Sequence, residues 1–416
     1  MLKGKGAFAR GVMVLIAGTA SAQALAVLAL PLLTRLYTPE DFGVLGIFTA
    51  FLGIVAVIAG LRYHIAIPLC ATDSEAANLA AVALVSVLAT TVLTAIAVLP
   101  WGGQIASMLN TPMVAKYLWL LPIGVLLTGA YAVFQYWATR KKAYGRIART
   151  RIEQAIGGVG SQLALGWAGM GAIGLIVGQI ISNGAGFIGL ARRAWGEDRE
   201  SIKAVNLSGM RQSAYEYRRF PQYSTLEALT NTAGLQVPLM LIAALASSAE
   251  LGFLMLAMRI LQAPMSLVGT SIGQVYYAQA VQEHSTKRLW VFTLKTLRRL
   301  AFIGLPPLAV IAVIAPYTFG LLFGNGWERT GEIAVWLLPF FFFQFLASPV
   351  SMSLHILGKQ RLALLLQLFG LLLRVSSLFW IPGKQVEAFA VSSCIFYMVY
   401  LGVILLATRK SGLQVA

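Results

Sequence analysis

Twelve apolar runs, each close to the ~20 residues that cross a bilayer, follow one another through this chain with only short polar connections between them. They cover residues 11–33, 43–67, 77–99, 114–137, 150–168, 171–191, 222–246, 250–279, 292–315, 331–356, 361–381 and 386–408. A soluble fold is excluded by the supply of charge. Of 416 residues, 58% are hydrophobic and 11% charged, where soluble domains carry about 25% charged residues. The expected fold is an all-α polytopic membrane protein with 12 transmembrane helices. Lys3, Lys5 and Arg10 followed by Ala20-Ser21-Ala22 mimic a secretory leader, but the apolar run continues through Leu33 and is expected to be the first membrane helix.

Alternating the connections between the two sides segregates the basic residues. Of 32 Lys and Arg, 26 fall on the side of the termini. They lie in the first residues, at Arg62, from Arg140 to Arg151, from Arg192 to Arg219, from Lys287 to Arg299, at Lys359 and Arg361, and at Arg409 and Lys410. Four fall opposite, Arg35, Lys116, Arg329 and Lys384, and Arg259 and Arg374 lie inside spans. Basic residues are retained on the cytoplasmic side during insertion, so both termini are expected there. The longest hydrophilic stretch divides the chain into an N-terminal lobe at 1–191, a basic cytoplasmic linker at 192–221 and a C-terminal lobe at 222–416. An offset of 209 superposes Asp41-Phe42-Gly43 on Glu250-Leu251-Gly252, Leu45 on Leu254 and Gly60 on Gly269. Two six-helix lobes of one orientation then form a parallel pseudo-repeat about an axis along the membrane normal. The largest opposite-side connections, from Trp101 to Met113 and from Tyr317 to Thr330, are too short to house a catalytic domain.

Several motifs have bland explanations. Gly169-x-Gly171-x-x-Gly174 spells a dinucleotide fingerprint, but that motif works between a strand and a helix, and here both flanks are membrane spans. These glycines, with Gly174-x-x-x-Gly178, suit a tight hairpin and close helix packing. No Gly-Lys-Ser/Thr phosphate loop is present. His64, His284 and His355 lack metal-ligand spacing, and Cys70 and Cys394 form neither a disulfide framework nor a CxxC site. No metal and no catalytic residues are assigned. The net charge of +17 is dispersed in short runs rather than gathered into a nucleic-acid patch.

Ionisable residues at membrane depth are costly unless they face a wet cavity or a partner. Arg259 lies in mid-span within Leu256-Ala257-Met258-Arg259-Ile260, and Arg374 lies in span eleven. Arg259 reads as a cavity residue or as half of a buried ion pair or carbonyl contact. Arg374 reads as a cavity residue or as a contact to a neighbouring helix. Arg35 and Arg62 flank span two at its opposite ends, as substrate ligands or as interface anchors. Glu227, with Asn231 one turn further on the same face, pairs with Arg259, holds a coupling proton or cation, or snorkels beside Arg218 and Arg219. The excess of arginine makes an electropositive cavity, and arginine's forked donors fit phosphate oxygens.

The stretch Pro31-Leu-Leu-Thr-Arg-Leu-Tyr-Thr-Pro-Glu-Asp-Phe-Gly43 and the later Gly60-Leu-Arg62 are similar to the start of the polysaccharide-export branch of the MATE-like (MOP) transporter superfamily. Phe220-Pro221-Gln-Tyr223, Glu250-Leu-Gly252-Phe-Leu, Arg259-Ile-Leu-Gln-Ala-Pro264 and Ser271-Ile-Gly-Gln-Val-Tyr-Tyr resemble its seventh and eighth helices. The resemblance implies a flippase, not an enzyme, that moves undecaprenyl-pyrophosphate-linked O-antigen or related oligosaccharide units across the bacterial inner membrane by alternating access. Arg35, Arg62, Arg259 and Arg374 would bind substrate, and Glu227 and Asn231 are candidates for H+ or Na+ coupling. It implies no cofactor, membrane lipids and polysaccharide-assembly proteins as partners, and no nucleic acid. The rival within transport is an ion-coupled drug or metabolite antiporter, which favours an acidic cavity. A membrane-embedded polymerase or glycosyltransferase would need a larger outer loop or paired acids.

Overall fold

The computed structural model describes residues 2–108, 111–286 and 288–413; Lys287, one of the cations expected on the cytoplasmic side, lies outside them. Among the described residues twelve long helices carry the chain and no strand occurs. They are α1 (Leu2–Leu28), α2 (Pro39–Ala59), α3 (Asp73–Met108), α4 (Leu121–Arg140), α5 (Tyr144–Trp167), α6 (Ala172–Gly184), α7 (Thr225–Leu245), α8 (Ser248–Ser285), α9 (Leu289–Phe323), α10 (Glu328–Val350), α11 (Gln360–Ser377) and α12 (Gln385–Leu413). Nine described segments are long and apolar enough to cross a membrane. The other three long helices are α5, with Arg146, Arg149 and Arg151 in its first turns, α8 with Arg259 and α11 with Arg374.

Helix starts follow local capping chemistry. Before α2, the Thr38 hydroxyl accepts a hydrogen bond from the Asp41 amide (3.3 Å) while the Thr38 amide donates to the Asp41 carboxylate (3.1 Å). This capping box satisfies two amides that a helix N-terminus otherwise leaves open. It starts α2 at Pro39, ahead of the apolar run. Thr72 and Glu75 do the same for α3, which begins at Asp73 and continues through Pro100 to Met108, well beyond the predicted 77–99. Proline is tolerated inside such helices because neighbours and local adjustments satisfy the freed carbonyl.

The chain divides into two compact units, Met1–Met240 and Leu241–Ala416. In the first, α2 is the core, with Phe42, Val44, Leu45, Ile47 and Phe48 at most 1% exposed. It packs among α3, α4 and α6 while α1 lies along α5. The α5–α6 connection is the predicted tight hairpin, with Gly169 and Gly171 at φ +71° and +60°, left-handed values that glycine adopts without strain. Close approach of those two helices needs glycine as well. A Cβ on Gly158 would sit 2.8 Å from the Gly178 carbonyl, and one on Gly178 would sit 2.6 Å from the Gly158 carbonyl.

The 192–221 stretch, which the sequence suggests is a linker, is a folded part of this unit. Phe187–Glu197, Arg199–Lys203 and Leu207–Glu216 are helical and dock on the ends of α3 and α4. The Trp137 indole donates to Asp198 (2.8 Å), and Lys141 bridges Asp198 (2.8 Å) and Asp73 (2.7 Å). Burial opposes the charge on Lys141, but its bonds to Asp198 and Asp73 outweigh this and raise its pKa. The Asn206 amide donates to Asn78 (3.1 Å) and the Tyr217 hydroxyl to Glu75 (2.8 Å).

In the second unit α10 is the central helix, against α8, α9 and α12. Its Phe340 and Phe341 are 1% exposed, and Phe340 meets Phe389 and Tyr397 of α12 at ring-centroid distances of 6.1 and 5.6 Å. The proposed offset reappears at atomic detail. Residues 38, 39 and 41 shifted by 209 are Ser247, Ser248 and Glu250. Ser248 opens α8 as Pro39 opens α2, and Ser247 accepts from the Glu250 amide (3.0 Å) as Thr38 accepts from Asp41.

Candidate functional site

The strongest local irregularity in the first unit follows α2. Gly60 ends the helix, and Leu61 and Arg62 both take left-handed backbone, φ +44° and +60°. This conformation costs an L-residue roughly 1–2 kcal/mol, and such strain concentrates at functional positions. The chain then re-enters a helical turn, Tyr63–Ala66. The turn is anchored by the Tyr63 hydroxyl to the Ala214 carbonyl (3.3 Å) and by the ring of His64, 5.3 Å from that of Tyr136. Gly60 is required here because a Cβ would lie 2.9 Å from His64 Nδ1.

Arg62 is half-buried, with its Nε enclosed and without a hydrogen-bond partner, and His64 Nδ1, on a side chain 8% exposed, is likewise unpartnered. Unpaired buried polar atoms are uncommon in folded proteins. The spans on either side end at Ala59 and begin at Asp73, so this turn lies outside them. Burial, reinforced by the Arg62 cation, lowers the His64 pKa to about 4. The imidazole is therefore neutral at neutral pH, and Arg62 carries the positive charge of the turn.

The other sequence-derived candidates are dispersed. Arg35 is exposed in the last turn of the short helix Leu30–Leu36. The 21 residues of α2 separate it from Arg62 by about 30 Å, so these two arginines belong to different ends of the helix. Glu227 and Asn231 are both exposed on α7. In the second unit Arg259 is half-buried in mid-α8 between the fully buried Ala257 and Leu261. The repeat places it opposite Ala50, so the pseudo-equivalent positions differ by a charge.

Arg374 is enclosed, 2% exposed. Its Nε donates to the Ser393 hydroxyl of α12 (3.0 Å), and its guanidinium lies 4.4 Å from the centre of the Phe396 ring. Ser377, one turn on, joins Ser392 of the same partner helix (3.0 Å). Each of these contacts runs from α11 to α12.

Sequence reasoning assigned no role to Arg329, yet it is the hub of an acidic cluster. Its guanidinium meets Glu387 (2.6 Å), Glu332 (2.8 Å) and Glu250 (3.3 Å), joining the first turns of α8, α10 and α12. The legible signal was a carboxylate at the start of each of three helices on a side nearly devoid of cations. Among the described residues no group of His, Cys, Asp or Glu is arranged to hold a metal ion.

The architecture matches that of solved transporters. An inward-facing multidrug resistance MATE family transporter of the MOP superfamily is 18% identical with a TM-score of 0.74, covering 97% of this chain and 98% of its own. An outward-facing multidrug MATE transporter is 16% identical with a TM-score of 0.63, covering 97% and 96%. A MOP superfamily transporter from Pyrococcus furiosus, described as having a binding pocket of reverse polarity, is 18% identical with a TM-score of 0.63, covering 96% and 95%. The fold is therefore that of a MATE-like multi-pass membrane protein. Residues 32–332 match the model of a polysaccharide biosynthesis protein family, and the chain belongs to that family. No curated protein matches it.

Proposed function

We propose that this protein is a flippase that carries undecaprenyl-pyrophosphate-linked oligosaccharide units, O-antigen or a related polysaccharide repeat, across the bacterial inner membrane by alternating access. The observation that carries this reading is the combination of a polysaccharide-biosynthesis family with a MATE-like fold in one chain. A biosynthetic family that has a transporter architecture is explained most simply by movement of the lipid-linked intermediate. Arg62 is the foremost phosphate ligand in this reading: it is cationic, partly enclosed, left without an acceptor at Nε, and set on strained backbone. Arg259, half-buried in mid-α8, is the substrate ligand proposed for the second unit. Arg35 serves at the opposite end of α2, where its exposure leaves it free to meet the substrate late in transit. The enclosure of Arg374 favours its second reading, a contact that fixes α11 on α12 and through it the shape of the pathway. Glu227 and Asn231, exposed on α7, are the proposed H+ or Na+ coupling positions, and both termini are cytoplasmic.

The test is surface polysaccharide in a deletion strain complemented with the wild-type chain, Arg62→Ala, Arg62→Lys or Arg259→Ala at matched membrane levels. Loss of one charge-assisted hydrogen bond, about 1.5–3 kcal/mol, predicts a drop in export of about tenfold or more for each alanine variant. Partial rescue by Arg62→Lys is expected, since lysine keeps the charge without the fork. Unchanged export by both alanine variants removes the arginines from the pathway. A deletion that spares the polymer and alters resistance to cationic drugs supports the antiporter instead.

A further inference from the structure

We propose that the second unit holds one anionic phospholipid in a cavity between α10, α11 and α12, with its phosphodiester at Lys384 and one acyl chain inside. The cavity has a volume of about 470 Å³, within the range that accommodates a small ligand or a substantial length of chain. Leu373, Val391 and Ile395 form its apolar wall, and Trp336, Trp380 and Lys384 stand at its rim.

The rim is a set of unused donors. The Lys384 ammonium and the indole N–H groups of Trp336 and Trp380 have no partner among the described residues, and the two indoles are 49% and 71% exposed. Half-exposed tryptophans beside a lysine at a helix end are the side chains that settle at lipid headgroup level. Most polar atoms deeper in the cavity are committed elsewhere, the exception being Glu387 Oε2, which is buried without a hydrogen-bond partner. Ser377 and Ser392 hydrogen-bond to each other (3.0 Å), and one oxygen of Glu387 accepts from Arg329 (2.6 Å). Indole donors and an ammonium lining one cavity suit the oxygens of a phosphodiester.

Burial of an acyl chain gives no preference over ordinary lipid, because the surrounding tails are equally apolar. Selection must therefore come from the headgroup, and Lys384 is the only cation among the described residues that line the cavity. This site is independent of the flippase reading, since it concerns a resident lipid of the second unit rather than cargo.

The experiment is quenching of tryptophan emission in nanodiscs of unlabelled phosphatidylcholine doped with chain-brominated phosphatidylglycerol or chain-brominated phosphatidylcholine at equal mole fraction. The emission of Trp336 and Trp380 is isolated by difference against Trp336→Phe and Trp380→Phe. We expect quenching of that emission to favour phosphatidylglycerol by about fivefold at low mole fraction of brominated lipid, the effect of one lysine near the headgroups. Lys384→Gln should abolish the preference while Lys116→Gln retains it. Equal quenching by the two lipids, a preference indifferent to Lys384→Gln, or an equal loss with Lys116→Gln overturns the proposal. In each of those cases the rim sees ordinary boundary lipid or the general surface potential.

Discussion

At the scale of single residues, the turn after α2 combines strain with a buried neutral histidine, and pH should expose the cost. His64 has a pKa of about 4 in the fold against an ordinary value of 6.5, so the unfolded chain binds its proton more readily. The stability its neutral form contributes is complete above about pH 6.5 and is lost as pH falls toward 4. Going from pH 7 to pH 5 should cost about 2 kcal/mol from this group alone. The melting temperature of detergent-solubilised protein should fall over that interval, and His64→Gln should fall less; identical slopes refute the assignment. Arg62 was legible in the sequence as a charge at a span end, but its left-handed backbone was not. It accompanies the close approach of the His64 ring to Gly60, a contact visible only once the turn is folded. Arg374 shows the same limit. Its depth in a span was evident, whereas the direction of its side chain, into Ser393 and Phe396, depends on how α11 is rotated against α12.

At the scale of elements, small-residue spacing in the sixth span correctly announced close packing, and the structure identifies the opposing surface as Gly158 of α5. A methyl at Gly178 would meet Gln162 and the Gly158 backbone, and backbone cannot yield as a side-chain tip can. Gly178→Ala should destabilise by about 1–3 kcal/mol. Gly160→Ala, where nothing lies within 4 Å of the added Cβ, should be neutral or stabilising by about 0.5–1 kcal/mol. Thermal unfolding of the two variants side by side checks this, and equal melting temperatures would remove the α5–α6 contact from the account. Capping boxes explain why helix boundaries departed from the apolar runs: Thr38 and Thr72 start α2 and α3 from polar sequence that hydropathy alone assigns to loops. The folded 187–217 segment was missed for a related reason. Its helices are held by Trp137, Lys141, Asn78 and Glu75, all distant in sequence, so its composition reads as a polar connector.

At the scale of the whole molecule, the sequence displayed the twelvefold pattern clearly and the duplication only weakly, because lipid imposes a length on each crossing and insertion a sign on each connection, whereas the repeat keeps few identical residues. The orientation is directly testable in a variant lacking Cys70 and Cys394. A membrane-impermeant maleimide should label Ser107→Cys in intact cells to near completion and Arg199→Cys only after permeabilisation. The reverse pattern would invert the topology. Several cations of the side expected to be cytoplasmic are paired with carboxylates, Arg140 with Asp73, Lys141 with Asp73 and Asp198, and Arg146 with Glu197. The charges expected to orient the chain thus also fasten its fold. The docked 187–217 segment carries a consequence for heredity. If the gene arose by doubling, the joining piece has since become the property of its first half. A recombination event cutting at residue 191 would take Asp198 from Trp137 and Lys141 and Asn206 from Asn78, while one falling between Tyr217 and Thr225 would transmit that set intact.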